Sequence, residues 1–297
     1  MYGEHGVEMI NDNIISRHTA FSSEKIKENI KNIIENHAGA SNQNILHNWD
    51  FRNPINQMRQ SVYTSIGSTF YSIDRWFGSS LVGFRVSTRS DGIEIFNPDN
   101  NIPRGIFQKV ENIEMYDGLT LTYSVMFNNE IFSGTFILNS LLSNPHIVTP
   151  FGFLSYNATF GFSIHVNPNT SVIIQSVKLE AGSISTLKND PPMDFGRELA
   201  ICQRYQLVLN NFRARATSAS LNHIEFMIPI IVTMRINPHF SGSADVIDTR
   251  GNHLSGFTYE TTQQPTNIVR LLARRDAHGL SDGSIFIRTG AIFDANL

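Results

Sequence analysis

Ten histidines, 26 carboxylates and one cysteine bound the chemistry open to this chain of 297 residues. No His-x-His and no His-Glu-x-x-His occurs, so no spacing suited to a metal centre is present. The single cysteine, Cys202, excludes an intramolecular disulfide framework and a multi-cysteine zinc site within one chain. A Gly-x-Ser-x-Gly elbow, a phosphate-cradling glycine loop and the paired-glycine dinucleotide pattern are all missing from the sequence. Cleavage of a glycan would need two placed carboxylates. Glu111 and Glu114 are near one another, but beside a turn, where a solvated face is the default. The expectation is no catalytic residue, no metal and no cofactor, with Cys202 a small buried hydrophobe on a helix side shared with Leu199 and Tyr205.

Binding a sugar asks for aromatic faces that stack on the ring and polar side chains that read hydroxyls. Most of the 21 phenylalanines fall at alternating positions and read as core. Aromatics beside polar residues in loops are the better candidates. Asp248, Arg250, Asn252, His253 and Tyr259, with Phe257 and Glu260, lie in a polar, loop-rich stretch from Ser241 to Asn267. Tyr156, with Phe151, lies in another loop-like stretch. The expectation is a binding surface over 243–267, although an ordinary surface turn accounts for each of these residues equally well.

The elements that would carry such a surface are strands. Hydrophobic residues make up 41% and charged residues only 16%, well below the roughly 25% charge of common globular domains. A net charge of −3 gives no basic footprint for nucleic acid. The first residues, MYGEHGVEMINDN, have no basic segment leading into an apolar run, so no secretory signal is expected, and no apolar stretch is long enough to cross a membrane. Leu119, Leu121, Tyr123, Val125 and Phe127 alternate with polar residues, as do Phe160, Phe162, Ile164 and Val166. This is the signature of antiparallel strands with one buried face. Turn signals at Asp91-Gly92, Asn97-Pro98, Asp117-Gly118, Asn128-Asn129 and Asn167-Pro168 separate these runs and predict a β-sandwich or jelly roll over 41–190. Pro191-Pro192 breaks the pattern, and Asp194 can cap a helix within a connector at 191–212. Strands resume at Ile224, Phe226, Ile228, Ile230 and Val232, and 213–297 reads as a smaller C-terminal β domain.

Over 1–40 an extended arm leads into one helix, from Ser22 to Ala38. Its apolar residues Ile26, Ile30 and Ile33, followed by His37, have the spacing of a coiled-coil seam, and isoleucine at both seam positions favours three or four strands over two. His37 would set register; a three-fold metal site there is the lesser alternative. The other reading has the helix lying on its own domain through Ile26, Ile30, Ile33 and Ile34.

Several segments together resemble a known family. They are Asn44-Ile45-Leu46-His47-Asn48-Trp49-Asp50-Phe51-Arg52-Asn53-Pro54-Ile55-Asn56-Gln57, then Tyr71-Ser72-Ile73-Asp74-Arg75-Trp76, then the junction VKLEAGS…GRELAICQRYQ between Val177 and Gln206, and the ending Ile292-Phe293-Asp294-Ala295-Asn296-Leu297. In this order they are similar to bacteriophage and prophage tail-fibre proteins. The resemblance implies a homotrimeric virion fibre, made in a host cytoplasm, whose N-terminal region joins other virion proteins and whose carbohydrate-binding-like jelly roll recognises a bacterial surface polysaccharide. The residues of these motifs are expected to be structural. Asp74, Arg75 and Trp76 would sit on a strand, with Trp76 in the core. Glu198, Gln203 and Arg204 would hold the two β domains together, and Tyr205 would lie on the helix's apolar side. The alternatives are a capsid or baseplate fibre or decoration protein without its own receptor, and a carbohydrate-active enzyme.

Overall fold

The computed structural model describes residues 41–209, 212–220, 222–241, 245–248, 250–264, 267–280, 285–288 and 291–295. The expected stalk, with Ile26, Ile30, Ile33 and His37, lies outside the described residues. The chain is mainly β, and every strand pairing is antiparallel among the described residues.

Two six-stranded sheets share one core. The first has the order β1 (Val62–Thr64), β4 (Arg85–Arg89), β5 (Gly92–Asn97), β12 (Thr170–Ala181), β7 (Thr120–Phe127), β8 (Glu130–Ile137). The second has the order β2 (Phe70–Tyr71), β3 (Phe77–Gly78), β6 (Arg104–Gln108), β11 (Gly161–Val166), β10 (Gly152–Asn157), β9 (Ile147–Thr149). The turn residues divide these strands as their chemistry requires. Phe127 pairs with Glu130 across a two-residue turn in which Asn128 and Asn129 have φ of 52° and 63°, the left-handed pair that matches strand twist in a hairpin. Between the sheets, Tyr123 stacks on Phe136 at 4.1 Å and meets Phe162 of the opposite sheet at 5.7 Å. Trp76 is fully buried against Phe162 and Phe51.

Strand β7 departs from the expectation of a single buried face: Thr122 and Ser124 are as buried as Leu121, Tyr123 and Val125. After β12 the chain folds back over this face. The Thr122 hydroxyl donates to the Gly182 carbonyl at 2.7 Å, and the Ser124 hydroxyl bonds to that of Ser185. Hydroxyls can be buried there because each has a partner. The arm from Asn44 to Phe51 runs along the free side of β12, joined by Ile45 N to Leu179 O, Val177 N to Trp49 O and Phe51 N to Gln175 O.

Helix α1 (Phe195–Gln203) follows Pro191-Pro192, and the Asp194 side chain accepts from the Arg197 N–H as its cap. The connector expected at 191–212 is helical only over these residues, since β13 (Gln206–Leu209) already belongs to the next sheet. That sheet has the order β13, β22 (Ala291–Asp294), β16 (His239–Ser241). A second sheet has the order β18 (His253–Leu254), β17 (Asp245–Ile247), β21 (Ile285–Arg288), β14 (Phe212–Ala219), β15 (His223–Pro229), β20 (Ile268–Arg274), β19 (Thr258–Gln264). Seven strands lying flat would span about 29 Å at ~4.8 Å spacing. Its two edge strands, β18 and β19, are joined by only Ser255 to Phe257, which reaches about 14 Å, so the sheet rolls up. Strand β14 makes the corner: Phe212–Arg215 pair with β21, Ala216–Ala219 with β15, with a register shift after Ala216. Ile224, Phe226 and Ile228 fill a core of their own with Leu271, Val246 and Phe293. The alternation read as far as Val232 ends as a strand at Pro229.

Candidate binding site

Of the C-terminal candidates, Asp248, Arg250, Asn252 and His253 share the β17–β18 hairpin, and Tyr259 lies on β19. Among its described residues, segment 241–267, expected to be loop-rich, is more strand than loop, with β17, β18 and β19 inside it. Asp248 closes the turn between β17 and β18: its Oδ1 accepts from the N–H groups of Arg250 (2.8 Å) and Asn252 (2.9 Å), and its Oδ2 from Asn252 Nδ2 (2.8 Å). The bond from the Asn252 side chain, then those from the backbone, hold its carboxyl below the usual carboxylate range. Both oxygens are thus spent on the turn. Arg250 and Asn252 are exposed, and His253 stands 3.5 Å from Asp245 with both side chains more than half in solvent (66% and 59%). Tyr259 is on β19, with its ring against Phe240 at 4.8 Å and packed on the second core.

Tyr156 is not in a loop. It lies on β10 and is buried in the sandwich core together with Phe151, because it alternates with Ser155 and Asn157 and points between the sheets. Its ring cannot face a ligand.

A better-formed site lies on the outer face of the second sheet. Phe77, Phe107, Ser163 and Ser155 stand side by side across β3, β6, β11 and β10, and the adjacent row is Gly105, His165, Phe153 and Val148. Phe77 and Phe107 stack at 5.4 Å, and Phe160, itself half exposed, closes edge-on against Phe107 at 5.2 Å. His165 stacks on Phe153 at 4.2 Å. Between the two aromatic groups is a groove of about 170 Å³, walled by Phe107, Phe160 and His165 and by the hydroxyl residues Thr69, Ser79, Ser80 and Ser163. Arg104 at its margin donates from Nε to Asp99 at 3.1 Å. Burial, and then the neighbouring His146, lower the His165 ring to about 4, so it is neutral near pH 7. Ring edges and faces beside four hydroxyls and an uncharged imidazole can hold a ligand that is apolar on its faces and polar at its rim.

None of these groove residues was expected to meet a ligand: Phe160, read into the buried face of a strand, precedes β11 and is half exposed, and an outward Phe107 reads as core until the register sets it beside Ser163. The detectable signal was the run Gly161-Phe162-Ser163-Ile164-His165-Val166, whose non-core face carries Ser and His.

The motif residues converge elsewhere, at the contact between the two β units. Asp74, Arg75 and Trp76 are buried, but in a tight turn between β2 and β3 and not on a strand. Arg75 takes a left-handed φ of 72°, which a strand does not allow. Trp76 Nε1 donates to the Asn48 carbonyl at 3.0 Å, and Asn48 N donates to Glu198 at 2.6 Å. The Arg75 guanidinium lies over the Tyr205 ring. Gln57 Nε2 donates to the Gln206 carbonyl at 2.7 Å, and Ala295 N to that of Tyr205 at 2.6 Å. Arg204 is exposed, and its carbonyl accepts from Arg235 N at 2.8 Å. Gln203 borders a hollow with Ile55, Gln57 and Val208. Glu111 pairs with Arg235; although burial opposes it, the Tyr205 hydroxyl and the two arginines nearby keep its carboxyl below the usual range. Cys202 is fully buried, and burial pushes its thiol well above the ordinary range, the opposite of what a nucleophile needs. A larger cleft of about 300 Å³ lies between the arm and α1, and its walls His47 and Glu198 stand 3.6 Å apart.

Comparison with known protein families, curated proteins and solved structures finds no match.

Proposed function

We propose that this chain is a non-catalytic glycan-binding protein, and that the groove formed by Phe107, Phe160, His165 and Ser163 holds a saccharide. The observation that carries this reading is the meeting of the Phe107 and Phe160 rings, the neutral His165 and four hydroxyl residues in one concavity. A pyranose has the same division, with C–H faces and a hydroxyl rim. The sandwich is then a jelly roll of the carbohydrate-binding kind. The wider setting rests on the sequence resemblance: a homotrimeric phage fibre, joined through the Ile26, Ile30, Ile33 and His37 seam, which adsorbs to a bacterial surface polysaccharide while mounted on a virion.

Binding of the full chain to an array of bacterial surface oligosaccharides tests the groove. Phe107→Ala and Phe160→Ala should each weaken binding about tenfold, which is ~1.4 kcal/mol. The triple change Arg250→Ala, His253→Ala, Tyr259→Ala should leave it intact. Loss of binding only in the triple variant would move the site to the C-terminal unit. No retained glycan at all would favour a fibre or decoration protein without a receptor, and release of reducing ends would favour an enzyme. Light scattering on the full chain, beside one lacking residues 1–40, tests the trimer: a monomer of 33.4 kDa from the full chain would end that part of the proposal.

A further inference from the structure

Lys178 and Glu180 are two residues apart on one face of β12, and neither side chain reaches solvent (0% exposed each). Asp190 meets them from the returning chain, with its side chain 6% exposed and in contact with the Lys178 Nζ. Its place is fixed from both sides. A short 3-10 turn, Leu187–Asn189, precedes it, and Pro191-Pro192 follows, which restricts Asp190 to its extended conformation at φ −63°, ψ 132°. Lys178 Nζ also donates to Ser41 Oγ and Thr186 Oγ1, both at 2.8 Å, and lies 3.6 Å from Glu180 Oε2. Glu180 is held in turn by the Thr186 N–H at 2.7 Å and by the Thr186 hydroxyl. One atom is left over: Asp190 Oδ2 is buried with no hydrogen-bond partner.

We propose that Lys178 and Asp190 condense into an intramolecular isopeptide bond, with Glu180 as the proton relay. Amine and acid are held in contact, with the relay 3.6 Å from the amine, the arrangement that makes an otherwise slow condensation effectively unimolecular. Glu180 takes a proton from Nζ, which frees the nitrogen lone pair to attack Asp190 Cγ. The Nζ–Cγ bond forms and the Cγ–Oδ2 bond breaks. The two protons shed by Nζ leave with Oδ2 as water, so no oxidant, metal or co-reactant is needed. The product replaces a buried ammonium and a buried carboxylate, both costly to desolvate, with a neutral amide, and it removes the unpartnered oxygen. It also covalently closes the chain at the neck from which α1 departs, where the sandwich passes load to the second β unit.

The mass of the purified full chain under denaturing conditions is the test. The expected mass is one water lighter than the sequence. In a tryptic digest, cleavage after Lys178 should vanish, and the peptide running from Val110 through Lys188 should be joined to Asn189–Arg197. Asp190→Asn should reach the same product by losing ammonia instead of water. Glu180→Gln should keep its full mass, with circular dichroism unchanged. The wild-type readout stands even if a variant fails to fold. A full-mass protein after prolonged incubation in its native state, with Lys178 cleaved normally, overturns the proposal.

Discussion

The guanidinium carbon of Arg75 sits 3.4 Å from the centroid of the Tyr205 ring. One residue belongs to a turn of the sandwich, and the other stands just beyond α1 at the entrance to the second β unit. Arg75 is 1% exposed, its Nη2 donates to the Lys109 carbonyl at 2.7 Å, and its Nε has no hydrogen-bond partner. The ring face therefore offsets much of the cost of burying this charge. Burial pushes the Tyr205 hydroxyl up to about 12, against the opposing pull of Arg75, so the ring stays neutral at any working pH.

Tyr205→Phe keeps the face and removes a buried hydroxyl that has no hydrogen-bond partner, so it should change stability by less than about 1 kcal/mol. Tyr205→Leu removes the face beneath a buried charge and should cost ~2–4 kcal/mol. Urea denaturation followed by tryptophan fluorescence separates the two, because both tryptophans, Trp49 and Trp76, lie in the sandwich. Equal losses for Phe and Leu would show that the ring acts only by filling space.

Asp74 makes the same junction sensitive to pH. It is almost fully buried, and desolvation raises its carboxyl from 3.8 to about 6, although Gln57 donates to both oxygens. The folded state therefore binds this proton before the unfolded chain does. Taken alone, this group raises stability as pH falls through about 6, by up to ~3 kcal/mol, and the gain levels off below about 4. His165 works against it over the same window, because burial lowers the folded-state ring from 6.5 to about 4 while the unfolded chain takes up the proton near the ordinary value. Glu94, Asp99, Glu111 and Asp248, whose carboxyls are held low, add to the opposition at more acid pH. Thermal melts of the wild type and Asp74→Asn from about pH 7.5 to about pH 4.5 should therefore diverge, with the wild type gaining relative to the variant as pH falls. A difference between the two that stays constant across the window would mean that Asp74 is solvated.

The strands and turns were legible because period-two alternation and Asn, Asp, Gly and Pro punctuation are local signals. The Asn128-Asn129 hairpin and the Asp194 cap needed nothing more than neighbours in sequence. What failed was non-local. Thr122 and Ser124 look solvent-facing until the 182–190 return covers them. Tyr156 looks available until β10 is placed between β11 and β9. The motif residues Asn48, Asp74, Arg75, Glu198 and Tyr205 are distant in sequence and meet at one contact, which no periodicity could report. The groove depends on register: a slip of one residue in β6 would turn Phe107 inward and Ile106 outward.

Binding in the groove should not depend on pH near neutrality. His165 is lowered to about 4 by burial and by His146, so its ring stays neutral until pH approaches 4, where a charge would appear against Phe153 and weaken binding. Calorimetric titration with the best array ligand should give a constant affinity from about pH 5.5 to about pH 8. A change centred near the ordinary histidine value of about 6.5 would mean that another histidine carries the contact.

The Asn128-Asn129 turn offers a stabilising change that leaves the groove and the junction untouched. Both residues hold left-handed φ, which a side chain makes unfavourable and glycine does not. They differ in what they give back. Asn129 N donates to Gln175 Oε1 at 2.7 Å, and its Oδ1 accepts from Gln175 Nε2 at 2.8 Å. Asn128→Gly should therefore raise stability by about 0.5–1 kcal/mol, whereas Asn129→Gly should gain less, since it gives up one exposed hydrogen bond worth a similar amount. Urea midpoints of the two variants, compared with Gln175→Ala as the reference for the lost bond, settle the order. If Asn129→Gly proves the more stable, the Gln175 contact contributes nothing, and the turn is held by backbone geometry alone.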